Sequence, residues 1–138
     1  MSPSEIAELA IDISNRVDMQ WGLFVTVHMA VIGAIVYLDK PMLRIEKGIA
    51  LAVYFGFVFI NYSMMYTQLG LLNAAYMDIA QLAASGVDSN LINKMAADQA
   101  AGRFEYGIAA IRISHGAMAI LVLLTVIYDK ALSAKATN

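Results

Sequence analysis

Two histidines and one arginine interrupt stretches that are otherwise apolar, and His28, His115 and Arg112 are the residues whose spacing could do chemistry. Counted from boundaries near Asp18 and Glu105, each histidine lies about 15 Å along its helix at 1.5 Å per residue. If both helices cross a bilayer in the same direction, the two imidazoles come to the same depth. Arg112 is one turn from His115 on the same helical face. Two imidazoles at matched depth with a cation one turn outward could hold a b-type haem axially, the guanidinium meeting a propionate, and a quinone is the related ligand. The plainer reading of His28 is a hydrogen-bonded packing residue, because it falls on the core stripe of its helix. Arg112 needs either a partner or a route to the surface, since an unpaired charge at depth costs at least ~2.5–3.5 kcal/mol. Asn61, Tyr62, Ser63 and Tyr66 are candidate neighbours, and snorkelling is the alternative.

The second helix offers further stripes. Ala52, Gly56, Ser63, Thr67, Gly70 and Ala74 make a row of small residues that lets another backbone come close in lipid. Beside it run Tyr62, Tyr66, Leu69, Asn73, Tyr76 and Ala80 at the alternating spacings of a coiled coil. Tyrosines so placed either line a polar cavity or pack with their hydroxyls satisfied. Tyr54, Asn61 and Gln68, seven apart, form a sparse polar line that would border a pore in an oligomer or make interhelical hydrogen bonds in one chain.

To position these residues the chain needs long helices, and its composition suits a membrane. It is 60% hydrophobic and 14% charged, against soluble averages of about 45–50% and about 25%. At 138 residues it reads as a single domain, 1–138. The absence of cysteine excludes disulfides and thiolate ligands. A net charge of -2 and the lack of a basic tract speak against nucleic acid as a partner. The opening MSPSEIAELAID is acidic and amphipathic, so no cleavable signal is expected. Glycine-loop, HExxH, CxxC and serine-nucleophile motifs are missing. The nine methionines are scattered rather than clustered as a copper site would require.

Ser2, Pro3 and Glu5 fit a helix start with a capping box. Ile6, Ala10, Ile13, Val17, Trp21, Phe24, His28, Ile32 and Ile35 then follow one helical face. A tight turn at Asp39, Lys40 and Pro41 leads into a second helix from Met42 to Ala84, closed by Ser85 and Gly86. A third helix, capped by Asp88 or Ser89, runs to Tyr128, and the tail from Asp129 should fray. The expected fold is therefore an all-α membrane protein of three long helices. Spans fall at about 20–38, 48–68 and 106–128, and segments 3–18, 69–84 and 89–105 form a helical stalk on one side of the lipid bilayer. In helix number and in the string RISHG, Arg112 to Gly116, the chain resembles haem- or quinone-carrying anchors such as the membrane subunits of succinate dehydrogenase. That resemblance is confined to those two features and identifies no family.

Lys40, Arg44, Lys47, Lys130 and Lys135 lie toward one side, and Arg16, Lys94 and Arg103 toward the other. The positive-inside rule then puts the short turn and the C-terminus in the cytoplasm, with the N-terminus and stalk outside a plasma (inner) membrane. Three spans bury few faces by themselves. The leading expectation is a non-enzymatic membrane protein without a cofactor that works by association, as a homo-oligomer or an accessory subunit of a membrane complex, through Gly56, Asn61, Tyr62, Ser63, Tyr66 and Gly70. The alternatives are a haem b or quinone redox anchor on His28, His115 and Arg112, and an oligomeric channel lined by the second helix.

Overall fold

The computed structural model describes residues 2–38 and 40–129. Among them every regular element is an α-helix: α1 Pro3–Val36, α2 Arg44–Ala84, α3 Asn90–Ala100 and α4 Arg103–Ile127. Helices α1 and α2, and α4 from Phe104 onward, are long and apolar enough to cross a membrane. The expectations for Asp39 and for Lys130, Lys135 and the rest of the tail lie outside the described residues.

The helix ends show why the chain stops where it does. At the start of α1 the capping box forms as expected: the Ser2 amide donates to Glu5 Oε2 at 2.6 Å, and the Glu5 amide donates to Ser2 Oγ at 3.3 Å. Helix α2 begins later than expected. Pro41, Met42 and Leu43 are not helical, because Glu46 reaches back to accept the Leu43 amide at 2.7 Å and makes Leu43 the cap. The other end of α2 closes as a Schellman motif, with Val87 N–H donating to Leu82 O and Gly86 N–H to Ala83 O. Gly86 takes the left-handed φ of 91° that this closure requires.

The expected third helix is two helices. Gly102 adopts φ 68°, and its amide donates to Gln99 O, which ends α3; the Glu105 amide then donates to Gly102 O as α4 begins. Ser89 stands at the N-cap of α3, but its side chain makes no capping hydrogen bond.

The chain packs as two compact units, one drawing on residues up to Gln20 and on Ser63–Arg112, the other on Trp21–Tyr62 and on residues from Ile113. The divisions fall at Tyr62/Ser63 and Arg112/Ile113, somewhat inside the spans expected from hydropathy. In the first unit, Ala7, Ala10, Ile13 and Val17 of α1 are buried with Met65, Leu69, Leu72, Ala75 and Ile79 of α2, Ile92 and Met95 of α3, and Ile111 of α4. The second unit is built on Ile35, Tyr54, Val122 and Val126, with Val31, Ile32 and Val58 packed against them. Its outward faces remain apolar, through residues such as Val53, Phe59, Ile113 and Ile120. Such surfaces are disfavoured in water and suited to hydrocarbon.

Candidate functional site

The second unit gathers its polar side chains around one phenylalanine. Phe24 and His28 stand one turn apart on α1, their ring centroids 4.0 Å apart, and the opposite neighbour of Phe24 is His115 of α4 at 4.1 Å. One ring therefore contacts both histidines. His28 is fully buried. A carbonyl can only accept, so the 2.6 Å contact of His28 Nδ1 with Phe24 O places the proton on Nδ1. Nε2 is then the acceptor, and the Tyr54 hydroxyl donates to it at 2.7 Å. His115, also buried, donates from Nε2 to Asn61 Oδ1 at 3.0 Å. Trp21 and Tyr62 close over the His115 ring at 6.2 and 5.5 Å.

These contacts account for two members of the polar line on α2. Tyr54 and Asn61 are 4% and 2% exposed, each turned into the unit and bonded to one histidine. Both hydrogen bonds are interhelical, from α2 to α1 and from α4 to α2. A haem held between the two imidazoles would have to displace Phe24 and break both Nε2 hydrogen bonds, because an axial ligand presents a free ring nitrogen to iron. Arg112, three residues before His115, is exposed where His115 is buried. Its side chain has no hydrogen bond or ion pair among the described residues.

The remaining candidates lie on outward faces. Gly56, Ser63, Tyr66 and Gly70 are all exposed, while Tyr62 is half-buried. The buried seam of α2 runs through Asn61, Met65, Leu69, Leu72, Ala75 and Ile79, sharing Leu69 with the tyrosine row and otherwise lying one residue before it. Nor does the small-residue row make the close contact inside the chain that its composition suggested: a Cβ added at Gly56 or Gly70 would meet nothing within 4 Å.

A second polar centre was not foreseen. Instead of fraying, Asp129 is 2% exposed; it pairs with Lys47 Nζ at 2.5 Å and accepts the Met42 amide at 2.7 Å. Lys47 also donates to Ile127 O at 3.4 Å, so the end of α4 is fastened to the start of α2. Hydroxyls within the helices are handled locally, Thr26, Thr67 and Thr125 each donating to the carbonyl four residues earlier. No family model matches the chain, no curated protein resembles it in sequence, and no solved structure matches its fold.

Proposed function

We propose that this chain is a non-enzymatic integral membrane protein that works by helix association, as a homo-oligomer or as an accessory subunit of a membrane complex. The observation that carries the proposal is the outward row on α2. Ala52, Gly56, Ser63, Thr67, Gly70 and Ala74 are all exposed, and the glycines have open space before them. In lipid, where apolar surface alone gives no drive to associate, small residues let a second backbone come close enough for dispersion contacts. The satisfaction of His28, Tyr54, Asn61 and His115 by one another supports a packing role for the groups that would otherwise do chemistry.

In this reading segments 20–38, 48–68 and 106–128 cross a plasma (inner) membrane, with the helical parts 3–18, 69–84 and 89–105 outside it and the C-terminus in the cytoplasm. Charge supports that orientation. Lys40, Arg44, Lys47, Lys130 and Lys135 fall around the α1–α2 connection and the C-terminal end of the sequence, against Arg16, Lys94 and Arg103 toward the other side, and acidic residues count for little in the rule.

The test is native mass spectrometry of the protein released from lipid nanodiscs, comparing wild type with Gly56→Leu and Gly70→Leu. Wild type should fly as an oligomer or with a partner, and the leucine variants should dissociate with unchanged helix content. A wild-type chain that is monomeric in lipid, with no partner recovered in mild detergent, would overturn the proposal.

A further inference from the structure

A long apolar groove opens in the second unit between α1 and α2, with a volume of about 650 Å³, inside the range of about 300–1,000 Å³ usual for ligand sites. Its α1 wall runs from Val27 to Ile35, eight rises of 1.5 Å or about 12 Å along the axis, and continues past the helix end to Leu38. The opposite wall is formed by Val53, Tyr54 and Phe57. The one polar group among those three, the Tyr54 hydroxyl, is already bonded to His28, so the groove presents hydrocarbon along its length. That length approaches one leaflet of a core ~30 Å thick.

At Leu38 and Met42 the groove meets a second cavity, of about 560 Å³, lined by those same two residues with Lys40, Pro41, Leu43 and Glu46. This mouth is polar: Lys40 and Glu46 line it with opposite charges, and Arg44, next in sequence to the lining residue Leu43, brings the sum of the three to +1. The Glu46 carboxylate is engaged by the Leu43 amide and Lys47 by Asp129. Lys40 and Arg44 are exposed, with no ion pair among the described residues. Tyr37, next in sequence to Leu38 and 87% exposed, is the kind of ring that settles at the headgroup level.

We propose that this composite groove binds one anionic phospholipid, an acyl chain lying between α1 and α2 and the phosphate resting at Lys40 and Arg44. The inference rests on the membrane reading above. The orientation argued there puts the mouth in the cytoplasmic leaflet, where anionic lipids are enriched. A basic side chain near an anionic headgroup is worth about fivefold in affinity, equivalent to ~1 kcal/mol.

The experiment is native mass spectrometry of the full chain in mild detergent, supplied with equal amounts of phosphatidylglycerol and phosphatidylcholine of matched acyl chains. One lipid should be retained, phosphatidylglycerol at least about fivefold over phosphatidylcholine. Lys40→Gln with Arg44→Gln, both at exposed positions, should bring the ratio close to one. Ala34→Trp, placed on the open wall of the groove, should release both lipids. Equal retention of the two lipids by wild type, a ratio unchanged in the glutamine variant, or lipid retained behind Trp at 34 would each overturn the proposal. A dimer carrying no lipid would overturn it too, a second copy then being the occupant. Sedimentation keeps the two readings apart. A chain that stays in solution without detergent fails the membrane reading, while one that stays with membranes but shows no lipid preference fails this inference alone.

Discussion

Asp129 and Lys47 meet at 2.5 Å from the two separate segments of the second unit, the carboxylate 2% and the ammonium side chain 21% exposed. Asp129 also holds the Met42 amide, so one carboxylate satisfies two donors at the point where the chain enters α2. Removing one partner of a buried pair leaves the other charge uncompensated, which costs about 3–5 kcal/mol. Because Lys47 keeps partial exposure, Asp129→Ala should destabilise by about 3 kcal/mol, the low end of that range. Arg16→Ala, which breaks the exposed Arg16–Asp12 pair, should cost no more than about 0.5 kcal/mol. Denaturation in mixed micelles with increasing dodecyl sulfate measures both, and equal costs would refute the assignment of Asp129 as a structural clasp.

Tyr54→Phe should isolate the worth of the Tyr54–His28 hydrogen bond. Interhelical hydrogen bonds in membranes average ~0.6 kcal/mol and reach ~1.7. With His28 fully buried, no solvent can replace the lost donor. A loss of about 1–1.5 kcal/mol is expected, within the upper half of that range. A double-mutant cycle with His28→Leu should recover most of it as coupling energy. A coupling near zero would mean that the two rings merely touch.

Much of this was legible from local pattern. Of the nine residues in the 3.6-residue stripe on α1, Ala10, Ile13, Val17, Phe24, His28 and Ile35 are buried, and Ile6, Trp21 and Ile32 are half-buried. What escaped were features decided by partners distant in sequence or by a single backbone angle. Asp129 reads locally as the end of an apolar run, and nothing near it names Lys47, 82 residues away. In the alanine-rich stretch before Arg103, a glycine serves equally well as a small helical residue or as a left-handed stop, and Gly102 is the stop. The small-residue row is exposed on α2 and meets no other helix of the chain at its glycines, because periodicity marks a face without naming what packs on it.

Acid should loosen the first turn of α1. Glu5 accepts the Ser2 amide and the pair is reinforced by the Ser2 hydroxyl, contacts that hold its carboxyl below the ordinary value of 4.5. A lowered folded-state pKa means stabilisation that is complete above that ordinary value and is lost as the pH falls through the lowered one. Carbon chemical shifts of residues 3–6 should therefore move toward coil values only below pH 4.5. Glu5→Gln should remove most of that pH dependence. A transition above that pH would assign the change to another group.

Two glycine-to-alanine substitutions separate backbone strain from association. At Gly102 the left-handed φ of 68° is unfavourable for any residue with a Cβ, so Gly102→Ala should cost about 1–2 kcal/mol even though its Cβ would meet no neighbour. Gly70 lies within regular α2 with open space before it. There alanine should stabilise an isolated protomer by about 0.5–1 kcal/mol through reduced freedom of the unfolded chain. If the α2 face packs against another helix in the membrane, the same methyl group stands where two backbones must meet. Gly70→Ala should then raise the unfolding midpoint of dilute, monomeric protein while lowering the oligomer fraction at high protein-to-lipid ratio. Gains in both measurements would mean that this part of the row faces lipid.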